Sequence, residues 1–302
     1  MDDLLRRVNL GSVLLEAESE RVLGWRRMII FQEENQTKLQ RRLESFLRRQ
    51  VGRLIDRINI GNWRQADMVL GWQNEAEALA AVVRPYWRRG YMHGKAEAEQ
   101  AVDAAQFGKA EGVPAYYRGD ALLEQDEFVL YPEVIAAIEN ALEELTTLVN
   151  QTTRQNIQAI LRQAVDEGWD VKQLQQQILG QMAGIEPIAG MDVAVRAEMI
   201  AMTEMVRALN AGARTVYEQS GFLNDMNQQF TVRSFDSQGN VTGEHLVMHP
   251  PAHPRCRCTL ALNAEARALE WIAVGDASTC GICADLEAES ERNIADLMRG
   301  AA

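Results

Sequence analysis

The stretch Leu39–Ile58, LQRRLESFLRRQVGRLIDRI, sets the fold class of this chain. Its apolar residues recur at steps of three and four with charged residues between them, which is the pattern of one face of an α-helix. We therefore predict one or two long helices over residues 12–58. The apolar positions that carry this periodicity are Leu39, Leu43, Phe46, Leu47, Leu54, Ile55 and Ile58.

Helical periodicity continues along the chain on both sides of one segment that lacks it. A second helical block is predicted over residues 62–105, and another helix over residues 133–166, stopping at Gly168. Residues 108–132 between them hold Gly, Pro and paired Tyr with no sustained period, which indicates a linker or hinge. After Gly168 the spacing DVKQ over residues 170–173 is typical of a capping box that opens a short helix.

Asp192 is expected to cap a further helix that reaches Tyr217 and ends before Gly221. This helix has an apolar seam and, roughly a quarter-turn away, a polar stripe. The stripe either binds an anion or a neighbouring chain, or it forms a surface face paired with acids such as Glu204. The seam comprises Val195, Met199, Met202, Val206, Leu209, Ala213 and Val216; the stripe comprises Arg196, Thr203, Arg207, Asn210 and Arg214.

The period changes to two after residue 222, which favours β-structure. Residues 228–236 and 241–249 are predicted to form a hairpin, and CTLAL and EWIAV are further strand candidates. The side chains expected to face a small core are Phe230, Val232, Leu246 and Met248. The predicted fold class is α+β and predominantly α-helical, with long helices in the first two-thirds and a small β-rich Cys/His element at the C-terminus.

This pattern divides the sequence into four parts. We expect a helical arm over residues 1–107, the linker or hinge over 108–132, a helical core over 133–222 and the β-rich element over 223–302. A chain of 302 residues with 47% hydrophobic residues is long enough to bury a core. No apolar run reaches the length of a membrane span, and the amino terminus lacks the features of a secretory signal, so we expect the chain to be made and used in a cytoplasm.

The net charge of −12 argues against a protein whose whole surface binds nucleic acid. Residues 38–57 are an exception, since they hold seven basic residues and two acids. This stretch is either a solvated helix face or a docking surface for an acidic partner or DNA. The residues that would bind such a partner are Arg41, Arg42, Arg48, Arg49 and Arg53.

All four cysteines and three of the four histidines fall between His245 and Cys283. Cys280 and Cys283 have the C-x-x-C spacing at which a tight turn directs two thiolates at one cation. Cys256 and Cys258, two residues apart on an extended segment, project to the same side and would supply the other pair. This concentration of cysteine and histidine is the strongest chemical signal in the chain.

A structural zinc ion is the cofactor expected at these residues, because zinc takes four nitrogen or sulfur ligands and stabilises small elements with little core. Free buried thiols and a disulfide are the alternatives. A redox role for the C-x-x-C is disfavoured, because no βαβ pattern surrounds it. The histidines that would replace one thiolate are His253, His249 and His245.

Three segments also carry a resemblance to a known family. The helix over residues 197–222 holds a Thr-Glu pair, then Arg-Ala-x-Asn, then an aromatic residue before a glycine; Pro250–Cys258 reads Pro-Pro-x-His-Pro-x-Cys-Arg-Cys; and Trp271 precedes Asp-x-x-Thr-Cys-x-x-Cys-x-x-Leu at residues 276–286. These segments are similar to the phage head morphogenesis family, the Mu F-like minor head proteins. The resemblance covers about residues 150–302, and the last two segments stand in the opposite order to that of the family. The residues of the helix that match are Thr203, Glu204, Arg207, Ala208, Asn210, Tyr217 and Gly221.

The resemblance implies a minor structural protein of a tailed-phage or prophage head, without enzymatic activity. Its expected partners are the portal protein and other head proteins during procapsid assembly, with DNA packaging or delivery as a further role and packaged DNA as a further partner. Neither a membrane nor a small-molecule substrate is expected. The protein would reside in the virion, inside the head or at the portal vertex, after assembly in the host cytoplasm.

Two rival functions compete with this one. A zinc-dependent nuclease would use a metal-bound water with Glu244 or Asp276 as the base. A DNA-binding adaptor without chemistry would show salt-sensitive binding that depends on residues 38–57. The sequence favours the structural role, because no acid-base pair stands beside the cysteines at a catalytic spacing.

Overall fold

The computed structural model describes residues 20–59, 71–107, 132–182, 192–225, 228–235, 241–252, 256–273 and 281–300. In these ranges the helices are α1 (Glu20–Asn59), α2 (Trp72–Phe107), α3 (Pro132–Glu167), α4 (Val171–Met182), α5 (Val193–Gln219) and α6 (Gly281–Gly300). The strands are β1 (Phe230–Phe235), β2 (Val241–Val247), β3 (Thr259–Asn263) and β4 (Ala268–Ile272). The predicted fold class is confirmed: long helices come first and a small strand-containing region follows.

The helix boundaries follow the local signals in the sequence. Gly168, directly after α3, has a φ of +68°, a left-handed conformation that glycine adopts without steric cost. Asp170 and Gln173 form the predicted capping box, since each backbone N–H donates to the other's side chain, at 2.9 and 2.7 Å. Asp192 caps α5 by accepting hydrogen bonds from the backbone N–H groups of residues 194 and 195. The predicted hinge lies outside the described residues except for Pro132, which begins α3.

Contacts between Cα atoms divide the chain into two compact units, each made of separated segments. The first unit comprises residues 1–33, 89–126 and 202–302, and the second comprises residues 34–88 and 127–201. The predicted four-part division along the sequence stays a prediction.

All the regular secondary structure in the described residues of the second unit is helical. Its buried apolar side chains come from the faces that the helical periodicity predicts, and one buried acid is held among them. Arg53 binds the Glu75 carboxylate through two hydrogen bonds, at 2.8 and 2.6 Å, and Gln50 donates to the same carboxylate at 3.2 Å. Apolar side chains of this unit that are less than 2% exposed include Leu39, Leu43, Leu47, Leu54, Leu79, Ile138, Leu142, Ile157 and Ile160.

The first unit contains both hairpins. β1 pairs antiparallel with β2, and β3 pairs antiparallel with β4. Phe230 and Val232 of β1 face the core as predicted, and the edge of the Phe230 ring packs on Trp271 with centroids 5.2 Å apart. The prediction for β2 is wrong: Leu246 is 63% exposed and Met248 is 43% exposed. Leu246 pairs with Thr231 and lies on the face of the hairpin opposite Phe230 and Val232, because side chains alternate along a strand. Met248 follows the end of β2.

Two helices of this unit cross at very close range, which requires glycine. A Cβ atom on Gly94 of α2 would lie 1.8 Å from the carbonyl oxygen of Leu209 in α5. A Cβ atom on Gly212 of α5 would lie 1.9 Å from the carbonyl oxygen of Tyr91 in α2. The backbones therefore touch at this crossing, and the position of α5 against α2 is fixed there.

Candidate metal centre

Three cysteine thiols come together in the interior of the first unit. Cys256, Cys258 and Cys283 are 1%, 3% and 3% exposed, and their sulfur atoms all lie within 4.8 Å of one another. The Sγ atoms of Cys256 and Cys283 are 3.7 Å apart. Among the described residues this is the one group of three or more metal-ligating side chains. These three thiols can bind a metal ion.

The local structure explains how the thiols converge. Cys256 and Cys258 directly precede β3, and both of their sulfur atoms reach the same cluster. Cys283 lies in the first turn of α6, and its sulfur atom meets the other two there. Two segments 27 residues apart in sequence, from Cys256 to Cys283, are therefore joined at one point.

The sulfur separation distinguishes between the chemical alternatives. A disulfide requires sulfur atoms about 2.05 Å apart, so the 3.7 Å between Cys256 and Cys283 belongs to free thiols. Around a tetrahedral zinc ion with Zn–S bonds of about 2.3 Å, neighbouring sulfur atoms lie about 3.8 Å apart. The observed distance therefore fits two ligands of one tetrahedral ion.

The three thiols share their protons unevenly. The pKa of Cys256 lies below its usual range, because Cys258 and then Cys283 donate S–H hydrogen bonds to its thiolate. The pKa values of Cys258 and Cys283 are raised, in each case mainly by the hydrogen bond to Cys256. A bound cation would replace the remaining protons and allow all three sulfurs to be thiolates.

A buried tryptophan adds a further donor. Trp271 is 0% exposed, and its indole N–H makes no hydrogen bond within the residues that the structure describes. Cys256 has the larger effect on the pKa of Cys258, raising it, while the Trp271 N–H acts in the opposite direction. Buried N–H groups almost always find an acceptor, and the sulfur of Cys258, on whose pKa the indole N–H acts, is the acceptor that this environment offers.

Asn210 fixes the cysteine segment against helix α5. Its side-chain Nδ2 donates to the carbonyl oxygen of Cys258 at 3.2 Å, and its Oδ1 accepts from the backbone N–H of Leu260 at 2.8 Å. The hydroxyl of Thr259 also donates to Oδ1, at 3.1 Å. Asn210 is 1% exposed, so these bonds are made without competition from water. It therefore orients the backbone that carries Cys258.

Arg214, one turn further along α5, binds the chain that leads into the cysteine segment. Its guanidinium donates to the carbonyl oxygens of Gln228 and Met248 and forms an ion pair with Glu218 at 2.5 Å. Only 4% of its side chain is exposed. The guanidinium thus links α5 to the residues that flank the first hairpin, before β1 and after β2.

The prediction that the polar stripe of α5 binds a partner or forms a surface face is therefore wrong at three of its five positions. Arg196, Asn210 and Arg214 are 5%, 1% and 3% exposed and bind backbone carbonyl groups; for Arg196 the acceptor is the carbonyl of Val149, at 2.7 Å. Periodicity identifies the stripe, but it does not show that other segments of the chain cover it. Thr203 and Arg207 are half-buried, and Arg207 lies 3.5 Å from the Glu204 carboxylate.

Two of the predicted metal ligands lie outside the described residues, namely Cys280 and His253. Cys280 directly precedes Gly281, the first residue of α6. Of the other two histidines considered, His245 is exposed on β2, and His249 is half-buried with its Nδ1 2.6 Å from the Pro250 carbonyl oxygen. Neither joins the thiol cluster.

The basic stretch of α1 is exposed over most of its length. Arg41, Arg42, Arg48 and Arg49 all lie on the surface. Arg53 differs, because its guanidinium is held by Glu75 and its pKa is raised by that hydrogen bond.

One side chain proposed as the base of a nuclease does not lie at the thiols. Glu244 is on β2, where its carboxylate pairs with Arg233 at 2.9 Å. The other, Asp276, lies outside the described residues. The nuclease hypothesis stays a prediction that no described contact favours.

None of the helices in the described ranges is long and apolar enough to cross a membrane. Compared with models of protein families, with curated proteins and with solved structures, the chain has no significant match.

Proposed function

We propose that this chain is a minor structural protein of a tailed-phage or prophage head, which acts with the portal protein during procapsid assembly. The observation that carries the proposal is that the three segments of the family resemblance meet at one place. Asn210 from the helical segment binds the carbonyl of Cys258, and Cys256 lies against Cys283 from the C-x-x-C segment. Motifs that are far apart in sequence would have this relationship if they formed one structural unit.

We further propose that the unit is held together by one zinc ion. Cys256, Cys258 and Cys283 would supply three ligands, and Cys280, three residues before Cys283, the fourth; His253 is the alternative fourth ligand. The observations in support are the 3.7 Å sulfur separation, the burial of the three thiols and the unpaired N–H of Trp271. A ligand set dominated by thiolates favours zinc over magnesium or calcium.

The metal would act as a structural crosslink. It would tie the start of β3 to the start of α6 and so retain the second hairpin against the C-terminal helix. Metal binding contributes directly to folding free energy when the ligands are brought together only in the folded state. The role requires no vacant coordination position, in keeping with a structural protein rather than an enzyme.

Metal content tests the zinc proposal. The full chain, purified under reducing conditions, should contain about one zinc per chain, with thiols that react only after a chelator is added. Cys283→Ser should abolish stoichiometric zinc. Comparing Cys280→Ser with His253→Asn identifies the fourth ligand, because only the ligand variant should lose metal. A metal-free protein with four reactive thiols would contradict the proposal.

Assembly tests the head role. The chain is co-expressed with the major capsid protein and the portal protein of the phage or prophage that encodes it, and particles are separated by sedimentation. We expect the chain to sediment with procapsids at low copy number and to be lost from them when the portal protein is omitted. A chain that stays at the top of the gradient in both cases would exclude a head protein of this kind.

A further inference from the structure

Helix α1 carries a dense strip of positive charge on its solvent side. A helix turns about 100° per residue, so the five exposed basic residues of this strip lie within an arc of about 120°. Leu39 and Leu43, on the other side of the same turns, are 0% exposed and keep the strip facing outward. We name this strip the basic face; its residues are Lys38, Arg41, Arg42, Arg48 and Arg49.

The charge of the basic face is not neutralised by the part of the chain that the structure describes. Lys38, Arg41 and Arg48 form no ion pair or hydrogen bond there. The acid nearest in sequence, Glu44, is half-buried on the flank, where its carboxylate accepts a hydrogen bond from Gln40 at 3.2 Å. These cations therefore retain their full charge toward solvent.

The two remaining arginines contact only neutral groups. Arg49 donates to the hydroxyl of Ser45 at 2.8 Å, and the guanidinium of Arg42 lies 5.6 Å from the centre of the Tyr86 ring. Both contacts orient a guanidinium without removing its charge. The basic face thus presents five uncompensated cations on a chain whose net charge is −12.

We propose that the basic face binds the phosphate backbone of duplex DNA. From Lys38 to Arg49 a helix rises about 16 Å, and a duplex carries one phosphate charge per about 1.7 Å of its axis. A duplex segment of this length carries roughly ten phosphates on its two strands together, and those on the side that faces the protein can pair with the five cations. Four of the five residues are arginines, whose planar guanidinium matches phosphate oxygens in a bidentate geometry.

The composition of the face distinguishes a duplex from a single strand. Binding of single strands generally uses exposed aromatic side chains on which bases stack. The basic face has none, since the aromatic residue beside it, Tyr86, is 3% exposed. Arginine and lysine contacts to phosphate carry no base information, so binding is independent of sequence.

This proposal goes beyond the role in head assembly and does not depend on it, because it stands on the described contacts of one helix. Binding of DNA by the purified chain and incorporation into procapsids are separate measurements. Either proposal can therefore fail while the other holds.

Fluorescence anisotropy of a labelled 25-base-pair duplex, titrated with the full chain at several salt concentrations, tests the inference. With five phosphate contacts the slope of log K against log salt is expected to be about −4 to −5. The triple variant Lys38→Ala, Arg41→Ala, Arg48→Ala removes the three cations that have no described partner, and should reduce the slope to about −2. Circular dichroism checks that the variant keeps its helices.

A matched control removes three exposed cations elsewhere, with Arg162→Ala, Lys172→Ala and Arg292→Ala. This control changes the net charge by the same amount as the first triple variant. It should keep the slope of log K against log salt that the parent protein shows. Absence of binding in 50 mM salt, or equal weakening by the two triple variants, would overturn the proposal. Displacement of the duplex by poly-glutamate at equal charge concentration would also overturn it and would identify the face as a site for acidic protein.

Discussion

The side-chain amide of Asn210 binds both sides of the Cys258–Leu260 backbone: its Nδ2 lies 3.2 Å from the Cys258 carbonyl oxygen and its Oδ1 2.8 Å from the Leu260 nitrogen. Helix α5 is thereby attached to the segment that carries two of the three clustered thiols. An asparagine is suited to this role because it offers a donor and an acceptor side by side, as a backbone peptide group does.

Replacing Asn210 with Ala should release this attachment. The Leu260 N–H and the Cys258 carbonyl would lose their partner in a buried environment, which costs about 2–4 kcal/mol in total. We expect the Leu260 amide to exchange with solvent at least about 30-fold faster, since 1.4 kcal/mol corresponds to a factor of about ten. Hydrogen exchange read by mass spectrometry measures this. The same substitution at an exposed asparagine of α6, Asn293→Ala, should leave the exchange rate of Leu260 unchanged.

Replacing Trp271 with Phe tests whether the indole N–H serves the thiol cluster. The ring volume is largely kept, but the donor that acts on Cys258 is lost. Removal of a group that supports a metal ligand typically lowers metal affinity 10-fold or more, so we expect about a 10-fold weaker zinc affinity in competition with a chromophoric chelator.

Phe230→Leu is the matched control for Trp271. Phe230 packs edge-on against the same indole but offers no polar group. It should lower thermal stability while leaving zinc affinity within about twofold of the parent protein. Equal losses of zinc affinity in the two variants would mean that Trp271 acts only through packing.

Much of the fold follows from local signals in the sequence. The capping box at Asp170 and Gln173 and the cap at Asp192 mark helix starts correctly, because each is satisfied by atoms within four residues. The strands of the first hairpin follow in the same way from a period of two, whereas the strand candidate EWIAV starts two residues after the observed start of β4 at Ala268. Signals of this kind do not depend on the rest of the molecule, so the sequence alone carries them.

The burial of the polar stripe on α5 could not be predicted in this way. Asn210 and Arg214 are polar and lie roughly a quarter-turn from the apolar seam of α5, so periodicity assigns them to a separate polar stripe. They are buried because their hydrogen-bonding partners are backbone groups of segments 14 to 48 residues further along the chain. Similarly, the spacing of the cysteines in the sequence indicates only that Cys256 and Cys283 are able to meet. Their convergence is set by how the second hairpin folds back.

The close approach of α2 and α5 leads to a prediction about glycine. Gly94→Ala would place a methyl group 1.8 Å from the backbone oxygen of Leu209, and backbone atoms cannot move aside as a side chain can. We expect a loss of about 3 kcal/mol or more in unfolding free energy. Gly52→Ala, in the interior of α1, meets nothing within 4 Å and should instead gain up to about 1 kcal/mol. Thermal melting should therefore move in opposite directions, and two shifts of the same sign would contradict this account.

The free energy of unfolding depends on pH through His93, and a single substitution measures this contribution. Its ring stacks on Phe31 at a centroid distance of 4.0 Å, and burial lowers its pKa from 6.5 to about 4. The unfolded chain therefore takes up a proton at a higher pH than the folded chain does. The stability contributed by neutral His93 is complete above pH 6.5 and is lost as the pH falls from there toward 4. Between pH 7 and pH 5 the expected loss is about 2 kcal/mol.

The variant His93→Gln separates this loss from effects of pH on the rest of the chain. The nearby Glu97 carboxylate, 3.8 Å from the His93 ring, is bound by Arg27 and is kept in this variant. Urea denaturation at pH 7 and pH 5 gives the change in unfolding free energy for each protein. That change should be about 2 kcal/mol smaller in His93→Gln than in the parent. His245→Gln, at an exposed position on β2, should behave as the parent does. An equal pH dependence in the His93 variant and the parent would show that protonation of this ring is not what destabilises the fold.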